Sequence, residues 1–299
     1  MSLREWLGWK LVGSAGRREL LEARLPQGRM QSESNAAKPV SDLNACEFKV
    51  FSQFGEDGII QRLVRYLPVE HRTFIEFGVE NFAESNCRFL MMNDNWRGFV
   101  MDGSAKQIER IHRLPDIWKY DLSTKAAFIT SENVNDLLTS SGFDSDLGIL
   151  SIDVDGNDCR ILEAVDAMRP RILIVEYNAL FGAARNITVP YDAAFEKFGA
   201  HYSGLYFGAS LGALAAVAAK KGYSLVATES SGVNAFFVRN DLMDAALTAC
   251  TVADGFHETN VRQSRGRDGK LDYLNRKGQS TAIRGMPVLN IDTGAVEGF

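Results

Sequence analysis

From about residue 46 the apolar positions fall into short runs that alternate with stretches of helical spacing. "TFIEFGVE" (73–80) reads as a strand and "ESNCRFLMMND" (84–94) as the helix after it. "GFVMDGS" (98–104) is a strand ending at an acid, and "AKQIERIHRL" is helical. "AAFITS" reads as a short strand, followed by a helix in "ENVNDLLTSS" whose start is signalled by Ser131. "LGILSIDVD" and "DCRILEAVDAM" repeat the pair. "RILIVEYN" (171–178) is almost wholly apolar, as a strand covered on both faces should be. Loop character follows in "ALFGAARNITVPYDAAFEKFGAHYSGLYFG", then a helix in "ASLGALAAVAAKKG" with a glycine at its end. "YSLVATE" and "NAFFVRN" are strands joined only by "SSGV", a link too short for a parallel crossover, so this pair must be antiparallel. Repeated strand–helix units predict an α/β fold: a mostly parallel sheet of seven strands with an antiparallel last strand and helices on both faces.

The two ends differ from this body. "LREWLGWKLVG" places apolar and aromatic residues at helical spacing, "RRELLEARL" continues in helical style, and "QGRMQSESNAAKPVSD" reads as linker. The last 45 or so residues are polar and locally basic (Arg262, Arg265, Arg267, Lys270), with "MPVLNI" near the end. The expected units are an N-terminal helical extension and linker over 1–45, a domain over 46–245, and a C-terminal extension over 246–299.

Composition narrows the function classes. With 299 residues, 45% of them hydrophobic, the chain can bury a full core. A net charge of −5 argues against a nucleic-acid binder, which would carry a basic patch. Cys46, Cys87, Cys159 and Cys250 lie far apart with no CxxC pair, which suits neither a zinc site nor a disulfide framework. No apolar run is long enough to span a bilayer and no signal peptide is visible, so a cytoplasmic protein is expected. The N-terminal helix is the segment for peripheral contact with the inner face of a membrane, or for packing on the body or a second copy in a homo-oligomer.

Open α/β sheets bind ligands beyond the carboxyl ends of their strands. The first strand ends in Glu76 and Gly78, and glycine there allows close backbone approach. The segment lacks the GxGxxG that cradles a diphosphate. Asp102 ends the second strand, where an acid can hydrogen-bond both hydroxyls of a ribose; the bland reading is an Asp-Gly turn. A ribose acid without a diphosphate cradle favours S-adenosylmethionine over NAD.

"SQFGEDGII", "FIEFGVE", "NWRGFVMDGS", "SIDVDGND", "RILIVEYN", "YFGASLGAL" and "SSGVNAFFVR" together resemble the FkbM-like family of class I S-adenosylmethionine-dependent methyltransferases, from roughly residue 50 to 245. The family's I-D-x-E-G element corresponds to "IDVDGND", with Asp155 where glutamate is usual. The resemblance implies a Rossmann-like class I methyltransferase fold and O-methylation of sugars, glycans or natural products. It implies donor contacts at Glu76, Gly78 and Asp102, with Gly103 and Ser104 beside it, and at Gln53, Gly55, Glu56 and Asp57 of "SQFGED" folding over the donor. Residues 178–208 are then an insertion on the acceptor side.

"SIDVDGND" (151–158) concentrates acids at a strand end, where carboxylates need a cation, donors or water. Asp153 and Asp155 are two apart and share a strand face; Glu176 and Asn178 repeat that spacing at the end of the next strand. If the strands are neighbours, these four oxygen-bearing side chains converge, a set suited to Mg²⁺, Mn²⁺ or Ca²⁺. Such a cation would lower the pKa of an acceptor hydroxyl. The metal-free version has Asp153 or Asp155 holding the acceptor while His201 of "GAHYSG" removes the proton. Asp158 is expected to cap the following helix, and Tyr191, Asp192 and Asn234 are candidate pocket residues. The expected protein is a methyltransferase with a sugar or glycan acceptor; its rivals are a non-catalytic glycan-binding scaffold and an NAD-dependent oxidoreductase.

Overall fold

A computed structural model describes residues 14–299. The "LREWLGWKLVG" helix, and with it the expected membrane or subunit contact, lies outside the described residues. No described helix is long and apolar enough to cross a membrane.

The first element, α1 (Ser14–Asn35), runs through much of the stretch expected as linker. The polar residues there are docked rather than solvated. Ser32 Oγ donates to Gln61 Oε1 at 2.6 Å, and Asn35 donates its amide to the Cys46 carbonyl. Gly28 lies so close to the body that a Cβ would come within 2.5 Å of Val50. Side chains that find fixed partners can hold a helix that propensity alone would not.

The body then alternates α2 (Glu56–Tyr66), β1 (Thr73–Phe77), α3 (Arg88–Asp94), β2 (Arg97–Asp102), α4 (Ala105–His112), β3 (Leu122–Ala126), α5 (Val134–Thr139), β4 (Ile149–Ile152), α6 (Asp158–Ala164) and β5 (Ile172–Glu176). After a short strand β6 (Ile187–Thr188) and one helical turn α7 (Lys197–Ala200) come α8 (Leu211–Lys220), β7 (Tyr223–Thr228) and β8 (Asn234–Arg239). The sheet order is β3-β2-β1-β4-β5-β8-β7, parallel from β3 to β5, with β8 antiparallel to both of its neighbours. The expected mostly parallel seven-stranded sheet with an antiparallel last strand is therefore met.

Alternate strand residues feed the two faces. Leu173 and Val175 of β5 join a core with α5, α6 and α8; Ile172 and Ile174 join one with α2, α3 and α4. All five residues of β5 are buried, which explains its continuous apolar run. The third strand lies earlier than expected: it covers Leu122–Ala126, and residues 127–131 leave the sheet. Ser131 does not cap α5 either; Asn133 precedes the helix and its Oδ1 accepts from Thr130 N.

The tail adds α9 (Val252–Gly255), α10 (Arg276–Ala282), β9 (Pro287–Asn290) and β10 (Val296–Gly298). Strands β10, β9 and β6 form a second, antiparallel sheet. It covers a small apolar cluster in which Phe181, Ile187 and Leu205 of 178–208 meet Ile283 and Val288 of the tail.

Candidate active site

Gly78 sits one step past β1 with φ +71°, and a Cβ there would lie 1.5 Å from the Asp153 carbonyl oxygen. Only glycine lets the ends of β1 and β4 approach so closely. Beside it, Asp102 ends β2. Its Oδ2 accepts from Glu80 N at 2.8 Å and its Oδ1 from Ser104 N at 2.7 Å. Each oxygen thus keeps a lone pair for another donor. Asp102, Gly103, Phe128, Ile129 and Phe195 wall a slot of about 140 Å³ that reaches Gly78 and Asp153. Ser104 instead caps α4, accepting from Gln107 N.

Glu76 is buried at the end of β1. It accepts from Ser85 Oγ and Asn86 N at 2.7 Å and from Cys87 N at 3.2 Å, so it pins the loop that enters α3. Burial nevertheless pushes its carboxyl up to about 7. Of "SQFGED", Gln53 alone lines a cavity. Asp57 Oδ2 accepts from the backbone of Val50, Phe51 and Ser52 at 2.7 to 2.9 Å, and burial raises it to about 6. Glu56 accepts from Phe54 N and from the Asn234 amide, while Gly55 is crowded by Glu47. These three hold the segment itself together and do not face the cavity.

The slot opens into a basin of about 660 Å³. At its floor the conditional expectation about the strands is met: β4 and β5 are neighbours in the register Ile152↔Val175, so Asp153 and Glu176 leave the sheet side by side. One carboxylate oxygen each from Asp153, Asp155 and Glu176 lies within 4.8 Å of the others. The route differs from the one expected. Strand β4 stops at Ile152, and Asp155 is swung round by a left-handed turn (φ +57°) rather than by strand alternation. Asp158 secures that turn, accepting from Val154 N at 2.8 Å and Gly156 N at 3.0 Å.

Burial raises both Asp153 and Glu176 well above the usual carboxyl range, helped at Asp153 by the charges of Asp155 and Asp158 and at Glu176 by that of Asp153. Glu176 Oε2 is buried with no partner.

Sequence reasoning overlooked Lys197, on α7. Its ammonium pairs with Asp155 and lies 3.8 Å from the centre of the Phe207 ring. Burial works against its charge, but Glu176, Asp155 and Asp153 outweigh this and hold it above the ordinary lysine range. Glu76, Glu80, Glu84, Asp153, Asp155 and Glu176 all line the basin, and Lys197 is the one basic side chain among its described lining residues. Phe128 and Phe195 were likewise overlooked, since a lone aromatic in a loop gives no sign of which cavity it walls.

Two expected members stay out of the cluster. Asn178 lines the basin but donates its amide to the carbonyls of Leu205 and Phe207, and its oxygen accepts from Leu180 N at 3.0 Å. His201 is not among the lining residues: its Nδ1 meets Ser203 Oγ at 2.7 Å, and burial together with Arg267 lowers its pKa. Tyr191 bonds Glu132, and Asp192 offers its carbonyl to Asn157; neither lines a cavity. Asn234 does line the basin, with its Oδ1 buried and unpartnered.

No protein-family model matches the chain, and no curated protein matches it. Among solved structures it is similar to a putative O-methyltransferase from Klebsiella pneumoniae, with a TM-score of 0.41 and 13% identity over 74% of this chain and 90% of that one. An O-methyltransferase family protein from Burkholderia thailandensis gives 0.38 and 9%, covering 62% of this chain and 59% of the other. PKMT2 from Rickettsia typhi in complex with AdoHcy gives 0.28 and 18% over 38% of this chain. The chain spans only 22% of the length of that protein. Likenesses this distant concern the fold and say nothing of the chemistry.

Proposed function

We propose that the chain is an S-adenosylmethionine-dependent O-methyltransferase whose acceptor is a hydroxyl of a sugar or glycan. The observation that carries this reading is the slot at Asp102 opening past Gly78 onto the carboxylates of Asp153 and Glu176. Each oxygen of Asp102 keeps an accepting lone pair, which suits the two hydroxyls of a ribose. Phe128, Ile129 and Phe195 offer apolar walls to a base. A basin lined by six carboxyl groups against one lysine suits a cationic donor better than a dinucleotide diphosphate, which weighs against NAD. Bound there, S-adenosylmethionine supplies a methyl group on a sulfonium, which leaves as a neutral thioether.

The chain's own residues have two tasks. Glu176, which lines the basin with one carboxylate oxygen unpartnered, accepts the proton of the acceptor hydroxyl. The walls orient that hydroxyl, and positioning of two bound substrates supplies most of the acceleration. A basin of about 660 Å³ with amides at Gln53, Asn81 and Gln263 and rings at Phe198 and Phe207 suits a sugar. On this reading 46–245 is the methyltransferase domain, 178–208 forms its acceptor wall, and 246–299 closes that wall from outside.

The divalent cation expected from Asp153, Asp155, Glu176 and Asn178 does not fit these residues. Asn178 is turned to the backbone of Leu180, Leu205 and Phe207, and a lysine ammonium already pairs with Asp155 in the field of the other two carboxylates.

Calorimetric titration with S-adenosylhomocysteine, with NAD as control, tests the reading. Binding of the homocysteine with a micromolar Kd and no heat from NAD is expected. Silence towards both would leave the glycan-binding scaffold, and NAD binding alone the oxidoreductase.

A further inference from the structure

The cluster at the ends of β4 and β5 has the spacing of a cation site but holds a cation of its own. Asp153, Asp155 and Glu176 place an oxygen each within 4.8 Å of one another. In an acidic cavity with no counter-charge, such a cluster would be vacant for a metal or would repel itself apart. Here α7 delivers Lys197 into it. The lysine side chain is mostly buried (22% exposed), paired to Asp155, and covered by the Phe207 ring. An ammonium that had merely folded back from solvent would keep its head in water. Lys197 instead sets its ammonium between the Asp155 carboxylate and the Phe207 ring, within the field of Asp153 and Glu176, and cation–π attraction adds to the ion pair.

We infer that Lys197 replaces a divalent cation in this site, so that the protein carries out its chemistry without a metal. The inference rests on the methyltransferase reading for the chemistry, though not for the charge arrangement. Lys197 is a positioning residue in this account. Its charge faces three neighbouring acids, and Glu176 keeps one carboxylate oxygen buried without a partner beside the basin. A lysine delivers a single charge with three donors and no preference for octahedral geometry. It can therefore hold a hydroxyl by one hydrogen bond while staying paired to Asp155.

The test is Mn²⁺ titration of the full chain after chelator treatment, with free Mn²⁺ followed by electron paramagnetic resonance. Wild type and Lys197→Arg, which keeps the charge, should leave Mn²⁺ free into the millimolar range. Lys197→Met removes the charge at nearly the same length and should bind Mn²⁺ about a hundredfold more tightly. Gain of metal binding is a readout that a purely structural lysine would not produce. The inference is overturned if wild type binds Mn²⁺ as well as Lys197→Met does, or if Lys197→Met binds none. Should Lys197→Met fail to fold, the wild-type arm still decides: submillimolar Mn²⁺ binding that disappears in Glu176→Gln refutes the replacement, and its absence supports it. S-adenosylhomocysteine titrated into the same wild-type sample separates the two claims, because its silence sinks the methyltransferase reading while the Mn²⁺ arms remain readable.

Discussion

The slot and the basin meet at Gly78 but are held together in opposite ways. At the slot the acid answers to backbone: Asp102 takes two main-chain N–H groups. At the basin, side chains answer to side chains: Asp153 and Glu176 stand side by side, Asp155 pairs with Lys197, and Glu176 Oε2 has no partner. Backbone donors are fixed by the fold, so the slot is preorganised before any ligand arrives. A charge cluster balanced by one lysine can redistribute its charges when a polar group enters. The first arrangement suits recognition of one constant partner, the second the handling of a proton.

The largest predicted effect comes from breaking the seam between the two. Gly78→Ala forces a Cβ to within 1.5 Å of the Asp153 carbonyl at a left-handed φ. We expect a loss of more than about 3 kcal/mol, or roughly 10 °C in Tm, together with loss of S-adenosylhomocysteine binding. Thermal unfolding and calorimetry would check both, and a normal Tm would mean that the two ends are not locked together. Asp102→Ala sharpens the contrast, since it touches the slot alone. It should weaken S-adenosylhomocysteine by about 10- to 100-fold and change Tm little. An unchanged affinity would remove Asp102 from the slot's recognition.

The smallest effect is on pH dependence. Burial raises the carboxyls of Glu76 and Glu229 to about 7 in the fold, whereas in the unfolded chain they titrate near 4.5. Between those values the native state holds more protons than the unfolded state, so stability falls as pH rises. Tm should therefore drop by a few degrees from roughly pH 5 to pH 7.5, and a rise over that window would contradict it.

Much of the slot and of the basin floor was legible in the sequence because their residues stand at strand ends, where period and burial fix position. Glu76, Gly78, Asp102, Asp153 and Glu176 each follow an apolar run, and the sheet order brings those runs together. What escaped lies where no period operates. Lys197 belongs to a loop-like stretch, and a lysine there looks like any solvated lysine; only the fold of 178–208 over the β4 and β5 ends buries it. His201, four residues on, suggested chemistry but turned to Ser203 instead. Glu56 and Asp57 were expected as donor contacts from the resemblance carried by "SQFGED", yet both are buried and spent on nearby donors. The linker reading of 27–35 failed for a related reason: polar side chains can be bonded to the body rather than to water.

The second sheet sets a timetable for the nascent chain. Strand β6 finds its sheet partner in β9, and Asn186 bonds Asp292 across 106 positions of sequence. At roughly 5–20 residues per second, ribosomes would take on the order of 5–20 s to supply that partner. Over that interval β1 to β5 are already available to pair, while the wall that carries Lys197 has no strand to lean on. The pocket's floor is thus laid down seconds before its far side, and a chaperone that met this protein during synthesis would find an open, acid-lined cup.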